Sequence, residues 1–167
     1  MSVTAAPTSK YLPIYLNDHL GGSTVGVELV QRIANGHRGT ELGTFADGLT
    51  PEIKADRDAL LEIMDLLGAS KDQAKVAMGW IAEKFGRLKP NGELREPSPL
   101  SPLIELEGIS LGIEGKRSLW VALAAVDAVA ERIGRERLST LITSAEDQRA
   151  RVEEHRLEDA RQAFIAR

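Results

Sequence analysis

A chain of 167 residues with a net charge of −4 and no cysteine suits one domain that buries roughly two-thirds of its unfolded surface. It holds no disulfide, thiolate metal site or cysteine nucleophile. The acidic balance argues against a surface built to grip phosphate backbones, and three Phe, two Tyr and two Trp make no base-stacking platform, so nucleic acid is not an expected partner. Charge interrupts every apolar stretch well before the ~18 residues that span a bilayer, and the opening MSVTAAPTSK carries no secretory apolar run. The expectation is a soluble cytoplasmic protein with no membrane partner.

Residues 1–10 are small and polar, and are expected to form a disordered N-terminus to a single helical bundle domain over residues 11–167. Helix one reads from Tyr11 to Asn35, with Pro13 near its start and Gly36 as terminator. Its apolar arc carries Leu12, Leu16, Leu20, Val27, Val30 and Ile33, and takes in His19, Gly22 and Gly26. Glycine inside a helix costs about 1 kcal/mol against alanine, so Gly21, Gly22 and Gly26 need a reason. The preferred one is close packing, in which small residues four apart admit a neighbouring backbone, with Gly108 and Gly112 serving likewise. Clearance for a ligand is the alternative.

His37 to Leu49 reads as a loop rich in glycine and threonine. Thr50-Pro51-Glu52-Ile53 then has the form of a helix start, with Thr50 as N-cap and Pro51 in the first position. Helix two follows to Leu67 and stops at Gly68. Asp56 falls in the centre of its core arc, beside Ala59, and an unpaired buried carboxylate is expensive. It wants an arginine, a metal or a polar network. Ser70 caps a third helix from Lys71 to Lys89, which Trp80 flanks and whose solvent side carries Glu83. The proline-rich KPNGELREPSPLSP is a stiff connection.

From about Ser101 to Ile133 the chain is apolar on nearly every side, which places this helix in the middle of the fold. One stripe carries Leu103, Glu107, Glu114, Arg117 and Val121, while Glu105, Lys116 and Asp127 point to water. The last helix, roughly Glu136 to Ala166, begins amphipathic and turns polar, with Asp147 and Arg151 at i, i+4. It reads as a solvated ion-paired helix, with a docking surface for a partner or a homo-oligomer as the alternative. No alternating strand pattern appears, so the fold class is all-α, an up-and-down bundle of about five helices.

The strongest candidate site joins Asp56 to Glu107, Glu114 and Arg117, with His19 and Glu28 as further members. Carboxylates from several facing helices hold paired iron or manganese ions, because hard cations need several charged oxygens. The competing reading has Arg117, which cannot give up its proton to bind metal, neutralising Glu114, Asp56 or Glu107 in a buried ion-pair network. Glycine-rich phosphate loops, Gly-x-Ser-x-Gly elbows and His-Glu-x-x-His pairs are lacking.

The order of helices, the opening YLNDHLGGSTVGVELVQRIA, the segment IKADRDALLEIMDLLG and the later ELEGISLGIEGK resemble the ferritin-like superfamily, in particular its small bacterial members of unassigned function. The likeness covers most of residues 11–150. It implies a di-iron centre held by Glu, Glu-x-x-His, Glu and Glu-x-x-His, with Glu28, Asp56 and Glu114 at three of the acid positions. Ala59 and Arg117 stand where the two histidines would be, and Glu83 or Glu146 would supply the fourth acid. The implied protein is ferritin-like with an atypical carboxylate site, binding iron or manganese or else metal-free. A non-enzymatic interaction or assembly protein, working through the charged C-terminal helix, is the alternative.

Overall fold

The computed structural model describes residues 9–71 and 100–165. Within them the chain forms α1 (Tyr11–Gly36), α2 (Glu41–Leu67), α3 (Leu100–Ala124), α4 (Asp127–Ile133) and α5 (Arg135–Ile165), and no strand. The all-α expectation is met. Residues 1–8, the helix expected from Lys71 with its Trp80 and Glu83, and most of the proline-rich connection lie outside the described residues.

Helix α2 starts ten residues earlier than the sequence suggests. The Thr40 hydroxyl accepts a hydrogen bond from the Gly43 N–H at 3.1 Å, which makes Thr40 the N-cap and residues 41–49 helix rather than loop. Leu42, Ala46 and Leu49 continue the apolar face at helical spacing and bury against Val27, Val30 and Ile33 of α1. Thr50 caps nothing; its hydroxyl donates to the Ala46 carbonyl at 2.8 Å within the same helix. Pro51 is exposed inside α2, and its missing N–H costs a single backbone bond. The C-terminus falls where expected. Gly68 takes the left-handed conformation at φ 70°, its N–H reaches the Asp65 carbonyl, and the Ala69 N–H reaches Met64 O at 2.9 Å, closing the helix with a Schellman motif.

The central helix is broken where the sequence shows no glycine or proline. Val126 is extended at φ −108° and ψ 103°, so α3 ends at Ala124 and a short α4 begins at Asp127. Gly134, at φ 98°, then turns the chain into α5. Nor is α3 enclosed on all sides, because Ile104, Leu111 and Val121 are exposed.

Two apolar clusters show how the long helices run. Leu16 and Leu20 from the start of α1 pack with Leu60, Ile63 and Met64 from the end of α2, and with Leu119, Trp120 and Leu123 from the end of α3. Leu138 from the start of α5 joins them. At the other end, Val27 to Ile33 meet Leu42 to Ile53, Leu106 to Ile113, and Ala145 with Val152. Among the described helices α2 and α3 therefore point the same way, and α1 and α5 point the other; the helix expected between α2 and α3 lies outside the described residues. The strongest pairings are α3 with α5 and α1 with α2, and α1 also lies on α3. Among the described residues no helix is long and apolar enough to cross a membrane.

Candidate functional site

Three helices of this bundle leave space between them. A cavity of about 270 Å³ is lined from α1 by His19, Gly22 and Gly26, from α2 by Asp56 and Arg57, and from α3 by Gly108, Gly112, Gly115, Lys116 and Trp120. Gly22 and Gly26, like Gly108 and Gly112, stand four apart, so each pair turns to one side of its helix. A side chain added at Gly26, Gly112 or Gly115 would meet nothing within 4 Å. The close-packing expectation for Gly26 and Gly112 is therefore corrected: among the described residues no neighbouring backbone leans on them. Gly43 is the contrasting case, with the His37 carbonyl oxygen 2.0 Å from where its Cβ would be.

One wall of the cavity is polar. Lys116 Nζ donates to Asp56 Oδ2 and to Gln148 Oε1, and Gln148 Nε2 donates to the same Asp56 Oδ2 at 3.0 Å. Side chains from α2, α3 and α5 thus close a triangle in the interior, with the Lys116 and Asp56 side chains only 14% and 7% exposed. Burial pushes the Lys116 ammonium below its usual range, opposed by the charge and hydrogen bond of Asp56. Burial also pushes His19 down, against the weaker pull of Asp18, so its imidazole favours the neutral form. His19 packs edge-on to Tyr15, with ring centroids 4.6 Å apart.

Of the partners expected for Asp56, an arginine, a metal or a polar network, the structure gives a polar network, and of the acids expected for Arg117 it gives Glu114. Lys116, expected in water, is the buried partner. Arg117 instead grips Glu114 through two hydrogen bonds of 3.0 and 3.1 Å and reaches Glu146 at 3.5 Å. Because the Arg117 and Glu114 side chains are 30% and 35% exposed, this network lies at the surface of α3 and α5 rather than in a buried core. Arg149 adds a third side to it, 3.6 Å from Glu114. Glu107 pairs with Arg156 at 3.4 Å, Glu28 is exposed on α1, and Glu105, also expected in water, pairs with His37 at 3.0 Å. Of the four acids read as a metal set, only Asp56 is buried. Among the described residues no group of three or more His, Asp or Glu is placed to hold a metal ion.

Polar groups at this wall have unused valence. Among the described residues the buried Nε1–H of Trp120 and the buried Nε–H of Arg57 have no partner. Asp56 Oδ1 takes part in no hydrogen bond among the described residues, since both bonds to this carboxylate fall on Oδ2. Sequence reasoning missed Lys116 and Gln148. The signal for Gln148 was its register in α5, between the buried Ala145 and Val152.

Fold and site together define, among the described residues, a helical bundle with a cavity on which Asp56 and Lys116 border, Gln148 bracing the pair from behind. Comparison with protein-family models, with curated proteins and with solved structures found no match.

Proposed function

We propose that this chain is a ligand-binding helical bundle whose cavity between α1, α2 and α3 receives a small, largely apolar molecule. The observation that carries the reading is the cavity of about 270 Å³, with glycines of α1 and α3 in its lining. Each of Gly26, Gly112 and Gly115 weakens its helix by about 1 kcal/mol against alanine, and among the described residues no close packing offsets the loss. Concave, mainly apolar sites with a few convergent polar groups are the usual form of small-molecule pockets. An engineered cavity of ~150 Å³ holds benzene, so one of about 270 Å³ accommodates a molecule of roughly bicyclic size.

A helical bundle in which α2 and α3 both run against α1 and α5 supports a ferritin-like reading of the fold. Within that reading the carboxylate site is atypical, because the cation its buried acid faces is the Lys116 ammonium. Iron or manganese at Asp56 would have to displace that ammonium.

Alanine and leucine at the glycines test the binding role. Gly26→Ala, Gly112→Ala and Gly115→Ala each raise unfolding stability by about 0.4–1 kcal/mol, since helical glycines with free space lose only unfolded-state entropy when replaced. Gly112→Leu abolishes the binding of naphthalene measured by ligand-observed NMR. Destabilised alanine variants, or a wild-type protein that binds no bicyclic molecule, would overturn the reading.

A further inference from the structure

The polar wall of the cavity also defines what the ligand carries at its end, an inference that rests on the binding role just proposed. We infer that the cavity selects a ligand whose polar group is neutral and both donates and accepts a hydrogen bond, as an alcohol or phenol does, over a carboxylate or an amine.

Charge is the first ground. The acids lining the cavity are Asp18 and Asp56, and the bases are Arg57 and Lys116, so the charges cancel and no field favours an ion of either sign. An anionic ligand reaching Lys116 would stand beside the Asp56 carboxylate, and a cationic one reaching Asp56 would stand beside Lys116. Beside side chains only 14% and 7% exposed, each meets like-charge repulsion on top of its own desolvation. A neutral group avoids both costs.

Hydrogen-bonding capacity is the second. An ammonium has three donors, and Lys116 directs bonds to Asp56 and to Gln148, which leaves one N–H unspent. The carboxylate of Asp56 takes Lys116 and Gln148 on Oδ2 and leaves Oδ1 as an unspent acceptor. A spare donor and a spare acceptor on two residues already in contact match a hydroxyl, which accepts from the first and donates to the second without breaking the pair. The Nε1–H of the fully buried Trp120, which has no partner among the described residues, adds a further donor in the same lining. A purely apolar ligand leaves these groups unpaired, and a site with buried polar groups of this kind discriminates against the analogue lacking the hydroxyl.

A matched series of naphthalene, 2-naphthol, 2-naphthoate and 2-naphthylmethylammonium, titrated by calorimetry into the full chain, tests the inference. The expected result is that 2-naphthol binds at least about tenfold more tightly than any of the other three. In the Asp56→Leu/Lys116→Met/Gln148→Met variant, which replaces the triad by apolar groups of similar volume, that advantage over naphthalene disappears while naphthalene itself still binds. Equal binding of naphthol and naphthalene to the wild type overturns the headgroup inference and leaves the cavity reading standing. Tightest binding by either ion overturns the headgroup inference as well. If naphthalene and all its derivatives fail to bind, the cavity reading falls and takes this one with it.

Discussion

Lys116 shows how a single side chain escapes a helical-wheel argument. Its stem is long enough to start at the edge of α3 and deliver the ammonium inward, and Arg117, one residue on, offers an equally plausible cation 100° away. The sequence makes the requirement of Asp56 legible because carboxylates are not buried alone. Rotation of one helix against another decides which cation answers, and periodicity carries no information about that. The energetic consequence is specific. Lys116→Met leaves the Asp56 carboxylate buried and unpaired, a change that costs about 3–5 kcal/mol, to be read from the urea midpoint. The triple apolar variant Asp56→Leu/Lys116→Met/Gln148→Met recovers most of that loss, because no stranded charge remains. A single variant as stable as the wild type would mean that the pair is open to water.

At the scale of elements, stop signals were more legible than start signals. Gly68 ends α2 by a left-handed turn that a glycine serves without strain, and both the residue and the place could be read directly. The start was misread because Thr50-Pro51 has the form of a helix start, whereas Thr40 lies in a stretch rich in glycine and threonine that reads as loop. Only the packing of Leu42, Ala46 and Leu49 against α1 decides for Thr40. Thr40→Ala accordingly lowers stability by about 1 kcal/mol, while Thr50→Ala, whose hydroxyl only folds back on its own helix, stays within ~0.5 kcal/mol of wild type. Chemical denaturation of the two variants side by side measures the contrast, and equal effects would return the N-cap to doubt. The break at residues 125–126 had no local signal at all. It is imposed by the turn towards α5, where Val129, Ala130 and Ile133 bury into the same cluster as Leu138.

For the molecule as a whole, the polar half of α5 is held by its own charges and by ties to its neighbours. Arg156 and Glu153 pair at i, i+3, and Arg151 reaches across to Glu52 on α2 through both terminal nitrogens. Half-exposed pairs of this kind contribute little each, so global stability depends on pH mainly through buried groups. His19 is the informative one. Its folded-state pKa lies below the ordinary 6.5, so above pH 6.5 both folded and unfolded chains are neutral there. As the pH falls from 6.5 the unfolded chain takes the proton first, and stability is lost until the folded-state pKa is passed. Glu114, held below its ordinary 4.5 by the Arg117 hydrogen bond, acts with the same sign only at more acidic pH, whereas Asp159, pushed up by burial, works in the opposite sense. Comparing His19→Asn with wild type isolates the first contribution. The loss of stability between pH 6.5 and 5 shrinks in the variant, and identical profiles would show that His19 is solvated.

The triangle of Asp56, Lys116 and Gln148 has a further consequence for descent. Its members come from three different helices, so no one codon change replaces all of them, and each partial route passes through a protein with a solitary charge or a stranded amide inside. A lineage that acquired this arrangement is held to it by the steepness of the intermediate steps, whatever the cavity beside it comes to hold.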